Sequence, residues 1–226
     1  MEGSLDPAAV TRLSAVADLG AAARSLVQAV VETDTDGDTL LRAAALAREA
    51  TALLRRAVRP ANRLAAADGV GIRERIYSPV AGEANPLAPP LRILTLDADQ
   101  CLVEAECTLH RGYEGPPTYG HGGVSALLMD QVLGTAVALG GRSGLTRSLE
   151  TVYRRPVPLA EPLRLTGRIS RRSGNRTDAS GEIVTAARPD VVLVSATATF
   201  VMPTPEQVTR LFGHVDSSGA RIPTGD

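Results

Sequence analysis

The segment HGGVSALLMDQVLGTAVAL (121–139) is apolar on almost every side of a helix. Such a helix has no polar face to offer water, so the rest of the chain must bury it. What flanks it is strand-like. LRILTLD (91–97) and CLVEAECTL (101–109) precede it; in the second, Val103, Ala105 and Cys107 share one face and Glu104 and Glu106 the other. Four more strands are predicted after it, at about 145–154, 163–172, 176–187 and 191–202, with Ser173-Gly174-Asn175 and Pro189-Asp190 as hairpin turns. In the last of them Ser195, Thr197 and Thr199 alternate with Ala196, Ala198 and Phe200. This alternation suits an antiparallel sheet with one covered face. Two strands, a buried helix and four strands predict an α+β fold with the sheet wrapped around the helix.

The remainder divides into three. Residues 1–60 predict an N-terminal helical hairpin: 7–31 and 38–58 are rich in Ala, Leu and Arg at helical spacing, and TDTDGD (33–38) supplies the turn and an N-cap. TDTDGD is not a calcium loop, because its Gly is misplaced and no Glu closes it twelve residues on. Residues 61–90 are a linker or wrapping segment containing the Pro- and Gly-dense SPVAGEANPLAPP (78–90). The sheet-and-helix body is 91–203, followed by a tail (204–226), polar from 207 on.

Charge and residue usage exclude several function classes. A formal net charge of −1 shows no basic excess, so nucleic acid is not an expected partner. All 24 basic residues are Arg. Without Lys there is no Schiff-base chemistry and no P-loop. GVGIRE (69–74) fails as a dinucleotide fingerprint, since position 74 is Glu and no strand pattern precedes it, and GVSAL (123–127) lacks the second Gly of a nucleophile elbow. His110, His121 and His214 have no metal-ligand spacing, and neither metal nor cofactor is expected. Cys101 and Cys107, roughly 20 Å apart if both lie on one strand, cannot pair within it and read as reduced thiols. With an acidic, non-apolar start (MEGSLDPAAV) and no long uninterrupted apolar run, the expectation is a cytoplasmic protein with no signal peptide and no membrane span.

Two features stand out as chemistry. Asp130 sits mid-helix among Leu127, Leu128, Met129, Val132 and Leu133, where an unpartnered carboxylate costs several kcal/mol. It is either a functional group or an acceptor for a neighbouring strand or partner chain. Gly120, Gly122 and Gly123 surround His121 at the helix start. First-turn amides are unpaired, carry the positive end of the helix dipole and suit a phosphate or a developing oxyanion. An ordinary Gly-rich entry turn capped by His121 has the same composition. Arg154, Arg155, Arg164, Arg168, Arg171 and Arg172 suit either phosphate contacts or a solvated strand face.

In combination these features are more specific. EGPPTYGHGG (114–123), Asp130, Thr146 and YRRPVPL (153–159), in that order, resemble the hotdog-fold acyl-CoA thioesterases, and most of all the PaaI-like group and the carboxyl-terminal-modulator-type thioesterases. The resemblance covers about 75–202. It implies a curved antiparallel sheet around a central helix, a homodimer or a tetramer of paired dimers, and hydrolysis of an acyl-CoA substrate. It also implies site roles: Gly122, beside His121, polarises the thioester carbonyl; Asp130 is general base or nucleophile; Thr146 helps position water. Gly123, Arg154 and Arg155 are the expected substrate contacts. Where some members carry Asn or Gln six residues before the His, this chain has Gly115, and residues 1–60 have no counterpart in the minimal family pattern.

Spacing adds an independent constraint. His121 and Asp130 lie roughly 13 Å apart along a helix and about half a turn out of phase. One chain cannot bring both to a single carbonyl, whereas a two-fold dimer with antiparallel helices can. A non-catalytic module that binds acyl-CoA or a partner through the same fold is the alternative, disfavoured because a binder needs no buried carboxylate. A hydratase or dehydratase would want a His working beside the Asp, and the pattern offers no second His close enough.

Overall fold

The computed structural model describes residues 7–65, 75–89, 91–141 and 144–215. The GVGIRE segment and the end of the tail lie outside the described residues. Two N-terminal helices, α1 (Pro7–Glu32) and α2 (Gly37–Leu54), precede strands β1 (Arg92–Asp97) and β2 (Leu102–Thr108). A short 3-10 turn (Arg111–Tyr113) leads to the central helix α3 (Gly122–Leu139). Then come β3 (Leu145–Tyr153), β4 (Pro162–Ser173), β5 (Arg176–Thr185), β6 (Val194–Val201) and a last helix, α4 (Pro205–Phe212).

The six strands form one antiparallel sheet in the order β1-β2-β4-β5-β6-β3, so β1 and β3 are its edges. This is the α+β arrangement the sequence predicts. Alternation explains which face meets the helix: Val103, Ala105 and Cys107 on β2 and Val194, Ala196, Ala198 and Phe200 on β6 are buried. Opposite them, Leu128, Met129, Val132, Leu133 and Ala136 of α3 are 0% exposed. Each large side chain buried in this way contributes about 1.5–3 kcal/mol. The helix lies close on the sheet because Gly167 and Gly181 face each other across β4 and β5 beneath it. A Cβ at Gly167 would come 2.7 Å from Val132 Cγ1, and one at Gly181 2.9 Å from Met129 Cε.

The N-terminal helices both form, joined at Asp36, whose carboxylate caps α2 by accepting from the Thr39 amide at 3.0 Å. They do not pack alike on the body. α1 buries Gly20, whereas α2 buries none of its residues, and the two helices do not pack along each other. By length and composition α1 and α3 are each apolar enough to cross a membrane, which the sequence reading did not expect. α3 is the core helix of the sheet, and α1 is a mostly exposed helix that meets the backbone of Glu83 and Asn85 through Arg24.

Two further expectations are corrected. The polar tail begins with a helix: Thr204 and Gln207 form a capping box, with Thr204 Oγ1 accepting from the Gln207 amide at 3.3 Å and Gln207 Oε1 from the Thr204 amide at 2.9 Å. Cys101 is not on β2 with Cys107. It sits in the preceding turn at φ 48°, and its sulfur accepts from Arg172 Nη2 at 3.3 Å.

Candidate active site

The start of α3 is held from three directions. The His121 amide donates to Tyr113 O (2.8 Å) and the Gly120 amide to Val157 O (2.8 Å). His121 then serves as N-cap: its Nδ1 accepts from the Gly123 amide at 3.0 Å. The Tyr153 hydroxyl, from the end of β3, donates to Gly122 O at 3.0 Å. Capping therefore occupies the Gly123 amide, which the sequence reading placed among the substrate contacts. The Gly122 amide makes no hydrogen bond to another described residue. It points out of the positive end of the helix, where a partial negative charge is stabilised.

Two turns on, Asp130 is half-buried rather than enclosed by the core. Its Oδ1 accepts from Thr146 Oγ1 at 2.9 Å. This contact depends on an irregularity in β3. From Tyr153 backwards, Tyr153, Thr151 and Leu149 pair with Val194, Ala196 and Ala198 and share their helix-facing side. Strict alternation would put Arg147 on that side and Thr146 on the other. The register shifts between Thr146 and Ser148, so Thr146 pairs with Phe200 and regains the helix-facing side. A bulge of this kind re-aims a side chain.

Asp130 and Thr146 open into a cavity of about 900 Å³ that reaches both edges of the sheet. Its walls are α3, the start of β3, Leu91 to Leu94 and the loop from Ser78 to Glu83. That volume lies in the ordinary range for small-molecule sites.

Compared with solved structures, the chain is 40% identical to a crystal structure described as a thioesterase superfamily protein, with a TM-score of 0.70, covering 82% of this chain and 94% of that one. The chain belongs to the thioesterase superfamily. Residues 119–192 also match the family description "Thioesterase superfamily". More distant matches include the PaaI protein of the E. coli phenylacetic acid degradation operon (15% identity, TM-score 0.46, 49% of this chain and 82% of that chain). Zebra fish thioesterase superfamily member 2 is another (16%, TM-score 0.48, 61% and 91%).

Within this thioesterase-superfamily chain, the sequence-predicted residues fall into separate groups. Asp130 and Thr146 meet. Gly122 contacts β3 at its other end, through Tyr153, seven strand positions from Thr146 and so roughly 20 Å along the strand. Arg154 lines a hollow on the outer face of the sheet with Arg168 and Glu182. Arg155 Nη1 donates to Val192 O at 3.1 Å. Neither arginine lines the Asp130 cavity of its own chain. Gly115 has a steric reason: a Cβ there would come 2.7 Å from His121 Cα, which leaves no room for a side chain at this position.

Two other nucleophiles are shut away in the core. The Ser125 side chain is 1% exposed. Cys107 is buried, and that burial, with Glu106 adjacent, pushes its thiol up to about 12. Among the described residues no group of three or more His, Cys, Asp or Glu is placed to hold a metal ion. Tyr153 and the 78–83 wall are the parts that sequence reasoning missed. Tyr153 was legible only as the last helix-facing position of its strand.

Proposed function

We propose that this chain hydrolyses an acyl-CoA thioester. The observation that carries the proposal is the Thr146–Asp130 hydrogen bond at the mouth of a 900 Å³ cavity in a chain of the thioesterase superfamily. The carbonyl oxygen of the substrate accepts from the Gly122 amide, whose position at a helix start suits developing negative charge. Asp130 takes a proton from water as that water attacks the carbonyl carbon, or attacks the carbon itself to give an acyl anhydride that water then hydrolyses, restoring the carboxylate. The C–S bond breaks, the CoA sulfur leaves as thiol after protonation, and the acid is released. Thr146 donates to Oδ1 and so leaves the other carboxylate oxygen for the reacting atoms.

The proposed site is composite, with Gly122 from one subunit and Asp130 from its partner. Their attachment to opposite ends of β3 supports this reading, since it keeps the two groups of one chain apart. The edge position of β3 supports a dimer: Leu145, Val152 and Tyr153 are 46%, 44% and 53% exposed on a strand with one unpaired side. Such an edge is a template for pairing with another chain. The two cysteines are free, which accords with the reducing cytoplasm.

Thiol release from acyl-CoA substrates of several chain lengths tests the reading. Turnover by the wild-type chain supports it. Saturable acyl-CoA binding without thiol release would replace it with a binding module.

A further inference from the structure

The N-terminal helix reaches the cavity indirectly, through the loop that walls it. Gly20 of α1 is buried, and a Cβ there would come 2.5 Å from Glu83 O and 2.7 Å from Ala84 Cα. The helix backbone thus lies directly against the main chain of the loop. One turn later Arg24 Nη1 donates to both Glu83 O (2.8 Å) and Asn85 O (2.9 Å). A shared charged donor fixes both carbonyls at once. Glu83 belongs to the wall facing Asp130, together with Ser78, Pro79 and Ala81. The loop is also braced from within: the Gly82 amide donates to Ser78 O and the Ala84 amide to Ile76 O. It is therefore a small rigid piece, and α1 sets where that piece stands.

We propose that Arg24 is a positioning residue for acyl specificity: by fixing the 83–85 backbone onto α1, it sets the depth of the cavity beside Asp130. The inference rests on reading that cavity as the acyl site. Arg24 does not line the cavity, so its loss leaves the reacting groups in place and frees the wall to move outward. Long or bulky acyl groups then gain most, because a pocket wall discriminates by the methylenes it excludes.

The test compares wild type, Arg24→Ala and Arg12→Ala, an exposed position on the same helix. Across an acyl-CoA series, Arg24→Ala is expected to raise the long-to-short ratio of kcat/KM by about tenfold. The change should lie in KM, with kcat for the shortest efficient substrate held within about twofold, and Arg12→Ala should match wild type. An unchanged ratio, or an equal loss at every chain length, overturns the proposal. Amide hydrogen exchange at Gly82, Ala84 and Asn85 reads the clamp without substrate: it should quicken in Arg24→Ala and not in Arg12→Ala. Unaltered exchange overturns the clamp. If wild type shows no thioesterase activity, the proposed function fails on its own, and the exchange data with acyl-CoA binding titrations over the same series still decide the role of Arg24.

Discussion

Thr146 Oγ1 donates to Asp130 Oδ1 across 2.9 Å, and the contact exists because β3 shifts register immediately after Thr146. A regular strand would turn that hydroxyl to the outer face of the sheet and leave the carboxylate without it. The helix supplies the carboxylate, the bulge supplies its partner, and the open side of the curved sheet supplies the space in front of them.

Asp130→Asn keeps the size of the side chain and its capacity to accept from Thr146, but removes the charge. Thiol release should fall by about 10²–10⁴-fold, the usual contribution of a general base. The melting temperature should remain close to wild type, since the carboxylate is half-buried and lies outside the main core. Turnover near the wild-type rate in the variant would remove Asp130 from the chemistry.

Thr146→Ala should cost less, about tenfold, because a hydrogen bond to a charged group orients it without forming the new bond. Thr146→Ser should recover most of that loss, as it retains the hydroxyl. The measurement is kcat for the three proteins side by side. A loss in Thr146→Ala equal to that in Asp130→Asn would mean that the hydroxyl, and not only the carboxylate, takes part in the reacting step.

The surroundings of His110 predict a pH-dependent contribution to stability. Its Nδ1 accepts from the Gly112 amide at 3.0 Å and caps the 3-10 turn. Burial lowers its pKa from the usual 6.5; Glu32 opposes the shift and Arg24 adds to it. The unfolded chain therefore takes up a proton first as pH falls. The stabilising contribution is complete above about pH 6.5 and is lost as pH falls below that value through the lower folded pKa. Between about pH 7.5 and about pH 5 the wild-type melting temperature should drop more than that of His110→Asn, whose side chain still caps the turn. Parallel slopes for the two proteins would contradict this.

Much of the fold is legible in the sequence because it rests on periodicity. The apolar 121–139 segment announces a buried helix, and residues such as Val103, Ala105 and Cys107 announce the covered face of the sheet. The bulge is not legible, because LTRSLETVY alternates well enough to pass for a regular strand. The helix after Thr204 was legible in principle: TPEQ carries the cap, the first-turn Pro and the N3 Gln of a capping box, and Val208, Leu211 and Phe212 follow at helical spacing, a local signal lost when 207–226 is read as one polar stretch. In the candidate site, Asp130 is conspicuous as a lone carboxylate. His121 is ambiguous until the structure shows its ring accepting from the Gly123 amide. The wall formed by Ser78 to Glu83 and the hold of Arg24 upon it depend on contacts between segments far apart in the chain, and no local pattern encodes those.

The composite site is the central claim, and subunit mixing tests it most directly. Gly122→Pro removes the free amide at the first helical position, where proline is tolerated, although its Cβ would meet the Tyr153 ring at 3.2 Å. A melting curve must therefore show that this variant folds. Asp130→Asn removes the carboxylate. Each homodimer should be nearly inactive, as loss of one oxyanion donor costs about 10²–10³ in rate. In a mixed dimer one site carries both defects and the other joins an intact Gly122 to an intact Asp130. Co-folding the two variants should restore about a quarter of wild-type activity if subunits pair at random and sites act independently. Mixed dimers that form, as shown by differently tagged subunits purifying together, yet turn over no faster than the single variants would contradict the account.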